Sequence, residues 1–197
     1  MVIRKLFKFE GAHIVRNCSS DRCKKSIHGH SYVVEVFLES DKLDNGCMTY
    51  DFGLFKGTIK DFIDSFDHAY SMWDRETIEF QTFIKENSDR VVTMPISPSA
   101  EGYSLLIAYV VDKILKNTIF KNGEDENLRL HKVIVAETVT GYAEATLSDV
   151  ATMFAHRFSL EDIKFSDEVK AEWSDPLMWE KLLSGNSFEN PSIELTH

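Results

Sequence analysis

The chain is short of three things: cysteine, positive charge and long apolar runs. Its 197 residues hold three cysteines, an odd number that leaves at least one thiol unpaired. A disulfide framework is therefore not expected, and a reducing compartment, the cytoplasm, is. Lys and Arg number 22 against 32 Asp and Glu, a net charge of -10. Nucleic acid is excluded as a partner on this ground, because binding a duplex needs a basic face that displaces counterions. The longest apolar stretch, Leu105 to Val111, falls far below the roughly 20 residues that cross a bilayer. No membrane partner is expected, and Met1 leads straight into strand-like sequence with no signal-peptide pattern. The composition, 43% hydrophobic, supports one well-cored domain with an appendage.

What is present is chemically pointed. His28-Gly29-His30 sits in strand-like sequence, where side chains two apart share a face. Upstream, Ile3, Phe7, Phe9 and His13 share one parity, so a strand from Val2 ends on a third inward imidazole. Three neutral histidines with one open position form the ligand set of a catalytic zinc. The loop between them, Ile14 to Ile27, carries Cys18 and Cys23, and Arg16, Arg22, Lys24 and Lys25 against Asp21 alone, a balance of +3. Such a loop in an acidic protein attracts an anion to the metal site, with Lys24 and Lys25 as its contacts. Cations beside a thiol favour its thiolate, which makes Cys23, nearest the His pair and flanked by Arg22, Lys24 and Lys25, the candidate proton-transfer group. Cys18 competes for that role, and a closed structural site of Cys18, Cys23, His28 and His30 is the non-catalytic alternative.

Further along, Asp67-His68 closes a helical stretch and supplies a carboxylate and an imidazole for orienting and relaying a proton. Ser99 is placed to cap an apolar helix that begins near Glu101. Glu137-Thr138 ends a strand, where a carboxylate can hold a guanidine-like edge by two parallel hydrogen bonds.

Periodicity predicts strands over Val2–His13 and Ser31–Glu39, a hairpin pair. It predicts helices over Leu54–Phe66 and Glu101–Leu115, and a second hairpin of Val133–Thr138 and Tyr142–Leu147 across a Val139-Thr140-Gly141 turn. The order is ββααββ, with a helical insert around Thr77–Glu86 before Arg90–Pro95. Residues 148–197 hold ten acidic against four basic residues, yet keep Phe154, Phe158, Phe165, Trp173 and Trp179. A disordered tail is poor in aromatics, so this extension is expected to be helical and packed. It is expected to be dispensable for chemistry. Cys47 is expected to be buried.

In this order, His13, Cys23, His28-Gly29-His30, Asp51-Phe52, Asp67-His68, Pro98 to Glu101 and Glu137-Thr138 resemble the 6-pyruvoyl-tetrahydropterin synthase family over residues 1–147. Gly46, Asp51-Phe52 and Lys56 are most similar to its bacterial 6-carboxy-tetrahydropterin branch. The chain departs from the common pattern in placing four residues between Cys23 and His28 and in having Ser99 where threonine is usual. The resemblance implies an α+β tunnelling fold, an antiparallel sheet with two helices that closes into a barrel by homo-oligomerisation, commonly as a hexamer. It implies Zn2+ on His13, His28 and His30, catalytic Cys23, Asp67 and His68, and a pterin ring anchored by Glu137, with Thr138, Ser99 and Glu101 nearby. The substrate would be 7,8-dihydroneopterin triphosphate. The carboxy branch cleaves its side chain, on the route to queuosine and other 7-deazapurines; the pyruvoyl branch stops after losing triphosphate.

Overall fold

The computed structural model describes residues 1–195; residues 196 and 197, the end of the expected extension, lie outside the described residues. β1 (Val2–His13) and β2 (His28–Glu39) pair antiparallel along their full length, from Val2 opposite Glu39 to His13 opposite His28. Phe7, Phe9 and His13 on β1, and Tyr32, Val34, Val36 and Leu38 on β2, face the core, and the alternate residues face outward. Strict alternation fixes this register, because a slip of one residue would turn both rows to solvent.

The expected helix from Leu54 is broken. Leu54–Lys56 makes a 3-10 turn, Gly57 leaves helical geometry at φ -87° and ψ -129°, and α2 (Thr58–Asp64) follows. Phe55, Ile59, Phe62, Ile63 and Phe66 all bury regardless, since the break preserves the apolar face. α4 (Ala100–Lys116) lies over β6 (Arg129–Ala136) and β7 (Tyr142–Ala145), touches α2, and closes the main core.

The sheet is mixed, which corrects the antiparallel expectation. β3 (Ala69–Trp73) runs parallel beside β1, and β4 (Val91–Met94) parallel beside β3; with the short β8 (Lys164–Phe165) at the edge, the order is β7-β6-β2-β1-β3-β4-β8. Ala69 to Met72 are buried on both faces, so β3 has none of the apolar–polar alternation that marks a half-buried strand. α3 (Ile78–Asn87) forms where the insert was expected, with Thr77 Oγ1 accepting from the N–H of Phe80. Its Ile84 joins Ile14, Tyr70, Met72 and Val91 in a second, smaller core. A single-turn helix, α1 (Asp21–Lys25), occupies the loop between β1 and β2.

The C-terminal residues are packed, as their aromatics required, but they are not purely helical. After α5 (Leu147–Asp149) and one π-helical turn, β8 (Lys164–Phe165) adds antiparallel to β4, and α6 (Asp167–Ala171) and α7 (Met178–Ser184) follow. β9 (Phe188–Glu189) pairs with β5 (Thr118–Ile119) in a separate two-stranded sheet. Phe154, Phe165, Trp173 and Trp179 belong to the same core as α2 and α4. Cys47 is exposed, contrary to expectation. It sits at φ +58° in the tight turn that Asp44 closes by accepting from the N–H groups of Gly46 and Met48, which points its side chain outward.

Two loops at the far end of the sheet are joined by the carboxylate of Asp125, which accepts from Ser40 Oγ and the N–H groups of Asp41, Lys42 and Asn127. The Asn127 N–H does most to lower its pKa, burial opposes it, and the remaining donors bring it to about 2 from an ordinary 3.8. A depressed carboxylate contributes stability above its unfolded pKa and loses it as pH falls through the folded one. Melting temperatures of the parent and Asp125→Asn should therefore differ most above about pH 4 and converge as pH falls toward 2. A gap independent of pH would show that the ionised form is not what joins the loops.

Candidate active site

The β1–β2 register sets His13 directly opposite His28, and His30 opposite Gly11 on the same inward row. Ring centroids lie 4.5 Å apart for His13 and His28, and 5.3 Å for each of the other two pairs. One nitrogen from each ring lies within 4.8 Å of the others, which makes this the one group of potential metal ligands among the described residues. Gly29 is required between them: a Cβ there would stand 2.8 Å from the Gly11 carbonyl oxygen across the strand pair.

Backbone carbonyls orient two of the rings. His13 Nδ1 donates to Pro98 O, and His28 Nδ1 donates to Ser26 O at 3.0 Å, so each leaves Nε2 with a free lone pair. The Pro98 carbonyl is delivered by the turn into α4, where Ser99 Oγ caps the helix by accepting from the N–H of Gly102. Any Cβ on Gly102 would collide with the Ser97 carbonyl at 2.0 Å, so glycine permits the turn to close. His13 is completely buried. Burial lowers its pKa, and the His28 and His30 rings add to this, against the opposing pull of the Pro98 carbonyl and Glu137. It therefore stays neutral and able to ligate. The donor set, three converging imidazoles of which two are oriented from behind by carbonyls, fits a divalent metal such as zinc.

Glu137, just beyond β6, turns toward this cluster. Its Oε1 lies 3.7 Å from His13 Nε2 and 3.8 Å from His30 Nε2, and accepts from the Tyr32 hydroxyl at 3.2 Å. Tyr32 is fully buried and stacked on Phe9, and its phenol is pushed far up, first by burial and then by the nearby Tyr103 and Glu137. It acts as a permanent donor that fixes the Glu137 carboxylate beside the imidazoles. Tyr32 shares the inward parity of His28 and His30, two residues beyond the pair, and that parity is the signal in the sequence that marks it.

A cavity of about 390 Å³ opens beside the cluster, lined by Cys18, Cys23, His28, Ser99, Glu101, Glu137 and Tyr142 among others. Both thiols line this cavity, yet neither joins the metal-ligand group, so the geometry favours the three-histidine set over a closed Cys–His site. Thr138 is exposed and pairs with Thr140 in the hairpin turn, outside the residues lining this cavity. The loop charge is more balanced than its sequence suggested. Lys24 and Lys25 pair with Asp21, and Arg16 pairs with the Glu76 carboxylate at 2.8 Å while covering the Phe80 ring. Arg22 has no ion-pair partner among the described residues. Tertiary structure brought in Glu76, distant in sequence.

Asp67 and His68 are not brought to this cavity within the chain. They follow α2 in a turn, with His68 Nδ1 2.9 Å from Asp67 Oδ2, and His68 lines a second cavity of about 550 Å³ on the α3 side, whose lining also includes Gly29 and His30 of the histidine cluster, with Glu10, Tyr70 and Phe83.

The metal assignment is open to direct measurement. Replacing His13, His28 or His30 by Ala should cut bound metal, measured as ions per chain by elemental analysis, because each removes one of three ligands. A His28→Ala protein that retains a full complement would sink the three-histidine assignment.

Comparison with known proteins places this geometry. The family described as 6-pyruvoyl tetrahydropterin synthase matches residues 2–148. The chain is 45% identical over 187 residues to a 6-carboxy-5,6,7,8-tetrahydropterin synthase of Helicobacter pylori strain J99, covering 93% of this chain and 92% of that protein. It is 29% identical to the protein of the same name from Aquifex aeolicus, covering 72% and 95%. Among solved structures, an uncharacterised protein from Wolinella succinogenes superposes with a TM-score of 0.60 at 19% identity, covering 74% of this chain and 97% of that one. The Plasmodium vivax 6-pyruvoyltetrahydropterin synthase does so with a TM-score of 0.51 at 18% identity, with the same coverages. These two likenesses concern the fold alone. With a family match over three quarters of its length and close relatives over nearly all of it, the chain belongs to the 6-pyruvoyl tetrahydropterin synthase family.

Proposed function

We propose that this chain is a zinc-dependent 6-carboxy-5,6,7,8-tetrahydropterin synthase, converting 7,8-dihydroneopterin triphosphate with release of acetaldehyde and triphosphate in 7-deazapurine (queuosine) biosynthesis. The observation that carries this reading is the 45% identity, over 93% of the chain, with the Helicobacter pylori protein of that name. Residues 1–147 form the catalytic unit in this reading and residues 148–197 its extension, with the cytoplasm as its compartment. No helix among the described residues is long and apolar enough to cross a membrane.

His13, His28 and His30 would hold the Zn2+. When bound there, the ion lowers the pKa of hydroxyl groups on the substrate side chain. Glu137, fixed by the Tyr32 hydroxyl, accepts two parallel hydrogen bonds from the guanidine-like edge of the pterin and so sets the ring's distance from the imidazoles. Ser99 and Glu101 line the same cavity. Cys23, as thiolate, removes a proton from the side-chain carbon that the anchored ring presents. Asp67 and His68 return protons: the carboxylate holds the imidazole in one orientation, as their 2.9 Å contact supports. Because neither residue of this pair lines the cavity of Cys23 and Glu137 in its own chain, we assign its work to a homo-oligomer, hexameric by resemblance, in which subunit boundaries border the active sites. The unpaired outer edge of β7 supports such assembly, since an open edge is a ready template for another strand.

Metal-loaded protein given dihydroneopterin triphosphate should release acetaldehyde with triphosphate; triphosphate without acetaldehyde would assign the pyruvoyl reaction instead. Cys23→Ala should abolish turnover while keeping the full metal content, and Cys18→Ala should keep most activity. An active Cys23→Ala beside a dead, metal-replete Cys18→Ala would transfer the role to Cys18.

A further inference from the structure

Arg90, the residue before β4, turns its guanidinium back under the turn that carries Asp67 and His68. Its Nε donates to Asp67 O at 2.8 Å and its Nη2 to Asp64 O at 3.1 Å, so the fixed fork of one guanidinium spans the last carbonyl of α2 and the carbonyl of Asp67 in the turn that follows. Only 16% of the side chain is exposed. Its third nitrogen, Nη1, stands 2.7 Å from Glu172 Oε2, in the alignment of an ion pair rather than a hydrogen bond.

On the opposite side the turn is held by β1. Asp67 Oδ1 accepts from the N–H of Glu10 at 2.7 Å, and the N–H of His68 donates to Glu10 O at the same distance. His68 sits at φ +51°, a left-handed conformation that a residue with a side chain keeps only where its surroundings over-determine it. The C-terminal segment adds to the restraint. Trp173 Nε1 donates to Ser65 Oγ at 2.8 Å, and the N–H of Ser174 donates to Asp61 Oδ2 at 2.9 Å, so residues adjoining Glu172 hold the last turn of the helix that leads into Asp67.

We propose that Arg90, backed by Glu172, Trp173 and Ser174 of the C-terminal segment, is a positioning residue that fixes the Asp67 carboxylate and the His68 imidazole for proton transfer. The proton-transfer part rests on the function proposed above; the positioning part rests on the geometry. The C-terminal segment is then not dispensable for chemistry. A guanidinium that merely capped α2 would stabilise the fold without touching the chemistry. Here the charge also bears on the carboxylate: burial works to raise the Asp67 pKa, but the Glu10 N–H, the His68 ring and the Arg90 charge together hold it below the ordinary carboxylate value.

The test uses the full chain, metal-loaded, with Arg90→Met, Arg90→Gln and Arg90→Lys. For each, kcat and KM for dihydroneopterin triphosphate are measured with metal content, melting temperature and the Asp67 titration followed by carbon NMR. Arg90→Met should lower kcat by about 10- to 100-fold, the cost of misplacing a reacting group, with KM and metal content near those of the parent. The Asp67 titration should move upward, and Arg90→Lys, which keeps the charge and one donor, should recover most of the loss. A lower melting temperature with parental kcat and an unmoved Asp67 titration would reduce Arg90 to a helix cap and overturn the proposal. Should Arg90→Met not fold, Arg90→Gln decides by the same two readouts, since it retains an N–H donor without the charge. A parent that does not turn over the substrate would refute the proposed function while leaving the Asp67 titration to judge the positioning.

Discussion

The site depends on the pairing of β1 with β2. Their antiparallel register brings His13 across from His28 and leaves His30 one inward step away, next to Gly11. No loop could hold three imidazoles as reproducibly, because each ring's position is tied to a ladder of backbone hydrogen bonds and to a buried row of Phe7, Phe9, Tyr32 and Val34. Sliding the pair by one residue would expose that row and scatter the ligands together. Fold stability and metal geometry are thus enforced by the same alternation.

Around this pair the molecule supplies what the ligands lack. The turn into α4 gives His13 a carbonyl acceptor, and the end of β6 brings Glu137 within hydrogen-bond reach of Tyr32. A buried phenol with a strongly raised pKa cannot compete as an anion, so it serves only to orient the carboxylate. This shell is not exposed to water at His13 and is half open at Glu137, whose side chain is 30% exposed. That gradient suits a site in which the ligand is fixed from inside and the substrate enters from outside.

The parallel strands β3 and β4 and the C-terminal segment form the other side of the molecule. Trp173 and Trp179 sit in the same core as α2, and Phe165 extends the sheet through β8. What looks in sequence like an acidic appendage is a structural wall behind the helix that ends at Asp67. Its charge lies on the outside, its aromatics inside, which is why composition alone gave no measure of how closely it is joined to the core.

The two long strands, the inward parity of His13, His28 and His30, the apolar faces of α2 and α4, and the helical insert were legible from the sequence, because each rests on a local period that burial on one face imposes. Cys23, Ser99, Glu101 and Glu137 were also picked out, and the fold brings them to one cavity. The sequence did not reveal β3, whose residues are buried on both faces and so lose their period, nor the parallel pairing that follows from it. It overstated the free charge of the loop, because Glu76 reaches Arg16 across 60 positions. Only the tertiary structure decided that Tyr32 orients Glu137, that His68 lies outside the cavity of Cys23 and Glu137, and that Arg90 braces the turn carrying Asp67 and His68. Those arrangements join residues far apart along the chain, and local periodicity carries no information about such distances.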